Sequence, residues 1–390
     1  MRTPKATGKG DAMHMTLHIT TGCTMRCDYC YSPPLARRDM EIATARRAVD
    51  YAAELYPVNA GIIFFGGEPL LRLDLIKETI AYCGEVEKAK NAHFHHKVTT
   101  NGMLMDKAFL EYAGEANLTV AMSFDGVAAA HDAHRKRADG SGTYDALLPK
   151  LDLLLKHQPY ASVFMTVSSE TVGRYAESVE FLLGRGVRYL IVSLNYAGAW
   201  TDAHLKTLKK QYVKIAQFYE RLTLAERKFY LSPFEVKLAS HVRGEDHKCH
   251  RCALGMRQVS VAPDGAIYPC VQFVKDGENN RGFSIGDVFS GMDESGRDRM
   301  YELSQRRTPE CESCALATRC NNDCSCLNWQ TTGVINEVSP LLCETERMLI
   351  PIVDRLGERL YKKRAPMFIQ KHYNAVYPLL SLLEDQEAGR

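Results

Sequence analysis

Long apolar runs are missing from this 390-residue sequence. No segment approaches the roughly 20 consecutive apolar residues that a helix needs to span a bilayer. The first residues, 1–11, are polar and basic and contain no apolar core of a secretion signal. We therefore expect a cytoplasmic protein with no membrane segment and with a flexible N-terminus over residues 1–12.

A surplus of either charge is also missing. The chain has 49 Lys and Arg residues against 47 Asp and Glu residues, which gives a formal net charge of +2. No strong overall field would draw such a protein to nucleic acid or to acidic membranes. We expect neither as a partner.

Cysteine, in contrast, is abundant. The sequence has 13 cysteines, an odd number. The cytosol keeps thiols reduced, and disulfides use cysteines in pairs. The count therefore favours metal ligands over disulfides.

Short β-rich runs alternate with amphipathic helical stretches through the first half of the chain. The predicted strands are 16–20, 61–65, 95–100, 118–124, 161–168 and 188–194. The predicted helices between them are 43–55, 73–89, 106–116, 144–156 and 171–184. Six such units in succession predict an α/β fold with a parallel sheet that curls into a partial (β/α)6 TIM-like barrel.

Motifs that could carry chemistry follow the first four predicted strands. They are the cysteine loop at 23–30, the Gly-Gly-Glu-Pro segment at 66–69, Thr-Asn-Gly at 100–102, and Ser-Phe-Asp-Gly at 123–126. In barrels of this kind the active site lies at the carboxyl ends of the strands. We therefore expect these motifs to form one site.

The cysteine loop has the spacing Cys-x3-Cys-x2-Cys, formed by Cys23, Cys27 and Cys30. Three thiolates on a cluster of four irons leave one iron open for a cofactor or substrate. Structural zinc wants four ligands, and no local fourth is present. With Tyr29 before its last cysteine, the loop resembles the signature of radical S-adenosylmethionine (SAM) enzymes. The resemblance implies that the cluster reductively cleaves SAM and releases a 5'-deoxyadenosyl radical.

The same resemblance assigns cofactor contacts. Glu68 would accept from the methionine ammonium, Ser123 would approach the ribose, and Arg135 would pair with the methionine carboxylate. For Asp125 and the nearby His131, hydrogen bonding that stabilises a turn is an equal alternative. The residues expected to bind SAM are Tyr29, Gly66, Gly67, Glu68, Pro69, Thr99, Asn101, Ser123, Asp125 and Arg135.

A second group of cysteines lies in the last third of the chain. Its order, Cys252, Gly265, Cys270, Cys311-x2-Cys314-x5-Cys320-x3-Cys324 and Cys343, resembles the SPASM domain of radical enzymes. The resemblance implies two auxiliary four-iron clusters, three clusters in all. Their ligand sets would be Cys249, Cys252, Cys270 and Cys324, and then Cys311, Cys314, Cys320 and Cys343. Paired zinc ribbons are the alternative.

These assignments give the expected domain organisation. The radical SAM barrel would occupy 13–198, a helical bridge 199–248, the small cysteine-rich SPASM domain 249–343, and a C-terminal helical tail 344–390. Cys83 and Cys326 remain outside the ligand sets. Cys326 could donate a hydrogen atom to a substrate radical, although a spectator role is the simpler interpretation.

The segment after Cys270 bears on the substrate. Sulfatase-maturing relatives carry an aspartate base directly after the matching cysteine, whereas this chain has Val271. The form Tyr-Pro-Cys-x-Gln-Phe-Val resembles maturases that install thioether or carbon–carbon crosslinks in ribosomally made peptides. Expected partners are such a peptide, a separate leader-binding protein, and an electron donor such as flavodoxin or ferredoxin.

Several alternatives remain open at this point. They are a peptide epimerase, a sulfatase-maturase-like or small-molecule oxidoreductase, and a non-catalytic iron–sulfur or zinc scaffold that binds peptides. A scaffold would not cleave SAM after reduction.

Overall fold

A computed structural model describes residues 13–31, 37–56, 59–244, 253–274, 282–322 and 324–387. The chain forms two compact units. The first comprises Met1–Ala121, Arg137–Gly140 and Ala253–Arg306, and the second comprises Met122–Lys136, Ser141–Cys252 and Arg307–Arg390. The bounds of these units differ from the domain bounds expected from the sequence. The expected domain bounds stay a prediction.

Parallel strands alternate with helices in the first unit. The elements are β1 (Met13–Thr20), α1 (Ile42–Leu55), β2 (Ala60–Gly66), α2 (Leu73–Lys90), β3 (Phe94–Thr100), α3 (Lys107–Glu115) and the first part of β4 (Leu118–Ser123). β2 pairs in parallel with both β1 and β3. The four strands and three helices expected here are confirmed, with bounds that differ by at most three residues.

The core of the first unit comes from alternate residues of the paired strands. Leu17 of β1 lies opposite Phe64 of β2, and Met15 lies opposite Ile62. All four side chains are buried. Because successive strand residues point to opposite faces, His18 and Thr20 lie on the other face of β1.

The second unit continues the alternation. Its elements are α4 (Ala128–His134), α5 (Tyr144–His157), β5 (Ser162–Val167), α6 (Tyr175–Gly184), β6 (Tyr189–Leu194), α7 (Asp202–Leu224), β7 (Tyr230–Leu231) and α8 (Ser232–Arg243). β5, β6 and β7 pair in parallel, in that order. The helix expected at 171 begins at Tyr175, because Val172–Arg174 forms a tighter 3-10 turn. The short helix α4 was not expected.

The cysteine-rich region contributes elements to both units. In the first unit they are β8 (Gln258–Val261), β9 (Ile267–Tyr268), β10 (Gly286–Asp287), β11 (Gly291–Met292) and α9 (Glu294–Gln305). β8 pairs in parallel with β1, so β1 lies between β2 and β8. The sequence did not indicate this pairing.

The remaining helices belong to the second unit. They are α10 (Pro309–Glu312), α11 (Ser325–Thr332), α12 (Pro340–Lys362), α13 (Pro366–Tyr373) and α14 (Tyr377–Glu387). The tail helix begins at Pro340 rather than at 344, and a new helix begins at Pro366. Proline suits both starts because the first helical residue needs no backbone N–H. Within the described ranges, no helix combines the length and apolarity needed to cross a membrane.

Candidate cluster and cofactor site

The three-cysteine loop leaves the carboxyl end of β1. Cys23 and Cys27 are half-buried and Cys30 is exposed. The Met25 N–H donates to Cys23 Sγ at 3.4 Å, and the Cys30 N–H donates to the Cys27 carbonyl at 3.2 Å. Met25 itself is buried and anchors the middle of the loop. The loop thus folds back while its thiols stay near the surface.

The Gly-Gly-Glu-Pro segment is joined to the base of this loop through the backbone. The Gly67 N–H donates to the Thr20 carbonyl at 2.8 Å, and the Glu68 N–H donates to the Gly22 carbonyl at 2.7 Å. A Cβ at position 67 would lie 2.2 Å from the Gly22 oxygen, and Gly66 has φ +128. Only glycine fits such a close approach and such a φ. The two motifs therefore form one rigid turn.

The Glu68 carboxylate is fully buried and joins its own turn to the end of β3. Its Oε1 accepts from Thr100 Oγ1 at 2.7 Å and from the Leu70 N–H at 3.0 Å. Its Oε2 accepts from the Asn101 N–H at 2.8 Å. Burial raises the pKa of Glu68, and these hydrogen bonds oppose the rise. A carboxylate can accept about four hydrogen bonds, and three are made within the chain. The expected hydrogen bond from the methionine ammonium stays a prediction.

Asn101 directs its amide toward the cysteine loop. Its Nδ2 donates to Thr24 Oγ1 at 3.1 Å and lies 3.5 Å from Cys23 Sγ. Its Oδ1 accepts from the Met103 N–H at 2.9 Å, which fixes the amide orientation. Burial raises the pKa of Cys23, while the hydrogen bonds from Met25 and Asn101 lower it. The pKa of Cys23 is raised overall, and the hydrogen bond from Asn101 opposes a small part of that rise.

The other SAM contacts expected in the first unit lie on the same elements. Pro69 is buried and begins the 3-10 turn Pro69–Arg72, which Glu68 caps. Thr99 is half-buried near the end of β3, and Tyr29 is half-buried in the cysteine loop. Their roles toward SAM remain predictions.

Asp125 and Arg135, in the second unit, form a buried ion pair. Arg135 Nε donates to Asp125 Oδ2 at 2.9 Å, and its Nη2 donates to Oδ1 at 3.2 Å. Oδ1 also accepts from the Thr166 N–H of β5 at 2.8 Å. The Arg135 side chain is 8% exposed and the Asp125 side chain 1%. Ser123 precedes this pair at the end of β4, and the pairing of Arg135 with a methionine carboxylate stays a prediction.

His131 completes a buried hydrogen-bonded network beside this pair. Its Nδ1 accepts from the Asp125 N–H at 3.2 Å, so Nε2 carries the proton and donates to Thr143 Oγ1 at 3.0 Å. Thr143 in turn donates to the Arg135 carbonyl at 2.7 Å. Burial, followed by the charge of Arg135, lowers the pKa of His131 to about 4. The neutral imidazole therefore stabilises the segment that carries Asp125 and Arg135.

Five of the late cysteines belong to the second unit, where each is half-buried. They are Cys311, Cys314, Cys320, Cys324 and Cys343. Burial raises the pKa of Cys343, and the charges of Cys314 and Cys311 raise it further. The charge of Cys343 in turn raises the pKa of Cys320. Cys343 is thus influenced by Cys311 and Cys314 and itself influences Cys320, while the grouping of the four as one ligand set stays a prediction.

The first auxiliary set is described only in part. Cys249 and Cys252 lie outside the described residues. Cys270 is buried in the first unit, and Cys324 belongs to the second unit. The Sγ of the buried Cys326 lies 3.7 Å from that of Cys324. Its role as a hydrogen donor stays a prediction.

Cys23, Cys27 and Cys30 supply three thiols within one loop. Thiolates are the protein ligands of four-iron clusters, each on a separate iron. Among the described residues, no three His, Cys, Asp or Glu side chains are grouped around a position for one metal ion.

A cavity of about 470 Å³ opens in the second unit beyond β6. Tyr196, Trp200, Leu205, Leu341 and Glu344 are among its lining residues. This volume is in the range of small-molecule sites.

Sequence reasoning missed a buried ion pair next to Cys320. Lys237 Nζ lies 2.7 Å from Glu346 Oε2, and the side chains are 1% and 7% exposed. One signal was available, because Lys237 follows Phe234 by three residues and so lies on the apolar face of α8. Lysine and glutamate are almost never fully buried unless paired.

Comparisons with known proteins identify the class to which this site belongs. Residues 17–182 match the radical SAM superfamily. A cysteine-type anaerobic sulfatase-maturating enzyme of Clostridium novyi is 21% identical over 321 residues, which cover 78% of this chain and 85% of that protein. Residues 17–182 therefore form a radical SAM domain, and the chain is a radical SAM enzyme.

Solved structures show which fold within that class the chain adopts. Native anSMEcpe with bound AdoMet matches with a TM-score of 0.77 at 18% identity, over 90% of this chain and all of that one. Streptococcus suis SuiB bound to precursor peptide SuiA matches with a TM-score of 0.60 at 15% identity, over 85% and 76%. The fold class expected from the sequence, the partial barrel followed by a cysteine-rich region, is confirmed.

Proposed function

We propose that this enzyme is a peptide maturase that uses SAM and three four-iron clusters to install a crosslink in a ribosomally synthesised peptide. The observation that carries the proposal is the union of the cysteine loop with the Gly-Gly-Glu-Pro turn. Gly67 and Glu68 bind the loop base through backbone hydrogen bonds, while Asn101 points its amide at Cys23. Such an arrangement presents three thiols beside a preorganised polar turn.

Cys23, Cys27 and Cys30 would hold the first cluster. When bound, the cluster and SAM supply a carbon radical that takes a hydrogen atom from an unactivated position. The chain's own residues orient and protect that chemistry. Asn101 stabilises charge on Cys23, and the Glu68 hydrogen bonds keep the end of β3 beside the loop.

The second auxiliary cluster would be held by Cys311, Cys314, Cys320 and Cys343. The influence of Cys311 and Cys314 on Cys343, and of Cys343 on Cys320, supports this set. The first auxiliary set would use Cys249, Cys252, Cys270 and Cys324. With four ligands each, both clusters would serve electron transfer rather than substrate binding.

A peptide is the proposed substrate. Solved structures of similar fold include SuiB bound to its precursor peptide. The cavity of about 470 Å³ at the end of β6 has room for side chains of an extended peptide. The bond formed would be a thioether or a carbon–carbon link. A separate leader-binding protein and a flavodoxin or ferredoxin would complete the system.

Sulfatase maturation is the second candidate. It is favoured by the sulfatase-maturating enzyme that aligns with 78% of this chain. Val271 weighs against it, because valine has no group that can act as a base. An assay with a sulfatase-type peptide that contains the target cysteine separates the two candidates, since only a sulfatase maturase would oxidise that cysteine.

The first test is anaerobic reconstitution with iron and sulfide, followed by reduction with SAM and chromatography for 5'-deoxyadenosine. We expect about twelve irons per chain and deoxyadenosine that disappears in Cys27→Ala. Cys83→Ala is the matched control, because Cys83 is buried in α2 away from the cysteine loop in sequence. A full iron load without deoxyadenosine from the wild type would contradict the proposal.

A further inference from the structure

The segment that contains Cys320 is held on both sides by buried charged groups. Lys237 Nζ of α8 donates to the Arg319 carbonyl at 2.8 Å and lies 3.5 Å from Asn321 Oδ1. Glu346 Oε2, on α12, lies 2.7 Å from Lys237 Nζ. Lys237 therefore contacts the residues immediately before and after Cys320, and Glu346 is its buried partner.

A second ion pair supports the first. Arg319 donates to both carboxylate oxygens of Asp354, through Nη1 at 2.9 Å and Nη2 at 2.6 Å. Its Nε also donates to Ser240 Oγ of α8 at 3.1 Å. The Cys320 segment is thus fixed to both α8 and α12, and its distance from Lys237 and Glu346 is set by the fold.

Burying these charges needs a reason other than stability. Removing two charges from water costs free energy that their attraction only partly restores, and an apolar pair of similar volume is often as stable or more so. The Lys237–Glu346 pair is nonetheless almost completely buried. Its position next to a proposed cluster ligand supplies a reason, because charges in a poorly screened interior act strongly on a neighbouring redox centre.

We propose that Lys237 and Glu346 are positioning residues that set the reduction potential of the auxiliary cluster bound by Cys320. The inference rests on the proposed function, in which Cys320 is a ligand. Reduction adds one negative charge to a cluster, so a nearby cation favours it and a nearby anion opposes it. Net charge around a cluster is one of the factors that determine its potential.

The experiment is a potentiometric titration of the reconstituted full-length chain, followed by electron paramagnetic resonance. Cys23→Ala, Cys27→Ala and Cys30→Ala are combined as the background, so that only auxiliary clusters contribute. In this background we expect Lys237→Met to lower the midpoint potential of one cluster and Glu346→Gln to raise it. The double variant should return toward the parent value, since both charges are removed together.

The controls separate electrostatics from damage. Lys107 and Glu111 form an exposed pair at 3.2 Å, so Lys107→Met and Glu111→Gln should leave the potentials unchanged. Lys237→Arg keeps the charge and should keep the parent potential, which also tests the site if Lys237→Met fails to fold. A merely structural role would not move the potential in opposite directions for the two single variants.

The outcomes also separate this inference from the function on which it depends. An auxiliary signal that is absent from the parent chain, or that survives Cys320→Ala together with full iron content, would show that Cys320 is not a ligand and would overturn both. A normal parent signal, with unchanged or same-direction shifts in Lys237→Met and Glu346→Gln, would overturn the inference alone.

Discussion

The Glu68 carboxylate accepts a hydrogen bond from the Asn101 backbone N–H at 2.8 Å, which joins the second residue after β2 to the first residue after β3. Asn101 in turn reaches Cys23 Sγ, which follows β1. The ends of three neighbouring strands are therefore connected through two side chains. This connection explains how short motifs far apart in sequence act as one site.

The first prediction concerns the Glu68 carboxylate. In Glu68→Gln, the amide nitrogen cannot accept, so one of the buried donors Thr100 Oγ1 or Asn101 N–H loses its partner. We expect the free energy of unfolding to fall by about 2 kcal/mol, measured by urea denaturation. Glu54→Gln, which removes the charge of an exposed pair with Arg47, should change it by less than about 1 kcal/mol. Equal effects would contradict the structural role of Glu68.

A second prediction tests the close approach of the two motifs. In Gly67→Ala, the new Cβ would lie 2.2 Å from the Gly22 oxygen and would push the cysteine loop away from β2. Reconstituted protein should then contain about four irons fewer than the wild type. The matched variant Gly84→Ala has no atom within 4 Å of its new Cβ and should keep the full iron load. Normal iron content in Gly67→Ala would show that the backbone can shift to accommodate a Cβ at position 67 without loss of the cluster.

The buried ion pair of the second unit gives a third prediction. Asp125→Asn leaves the Arg135 guanidinium buried without its carboxylate, which should cost about 3–5 kcal/mol of unfolding free energy. The exposed pair of Arg174 and Glu177 is the comparison, because Glu177→Gln should cost no more than about 1 kcal/mol. Thermal and urea unfolding of both variants would measure the difference. A small effect of Asp125→Asn would mean that Arg135 relies on other groups.

His131 predicts how stability depends on pH. Its folded pKa of about 4 lies below the usual value of 6.5, so the unfolded chain binds a proton first as the pH falls. The stability due to neutral His131 is complete above pH 6.5 and is lost between there and pH 4. The slope due to this group approaches about 1.4 kcal/mol per pH unit.

The variant His131→Gln isolates this contribution. Glutamine can still accept from the Asp125 N–H and donate to Thr143, but it does not titrate. Unfolding free energies of the variant and the wild type, measured at intervals from pH 7 to pH 4.5, should converge as the pH falls. Parallel curves would show that the pKa of His131 is the same in the folded and unfolded states.

Much of the fold could be predicted because its signals are local. The strands at 61–65 and 95–100 are bounded by turn residues, and the structure extends the first to Ala60–Gly66 and the second to Phe94–Thr100. The helix expected at 73–89 is Leu73–Lys90. Strand period, helix period and turn residues act over a few neighbours, so they are readable without the tertiary structure.

The missed elements depend on distant partners. β8 has only four residues and is stabilised by its pairing with β1. α4 has seven residues, and its His131 is held by Asp125 and Thr143 outside the helix. Segments this short have weak patterns of their own, and tertiary contacts decide their conformation.

The sequence by itself indicated the chemistry of the site, because the groups involved are close together along the chain. Three thiols lie within eight positions, and two adjacent glycines at the end of a strand allow a close backbone approach. Only the tertiary structure decided which charges neutralise one another. Asp125 pairs with Arg135, and Lys237 pairs with Glu346 on a helix far along the chain. A buried charge is stable only beside its partner, and the folded chain alone brings the two together.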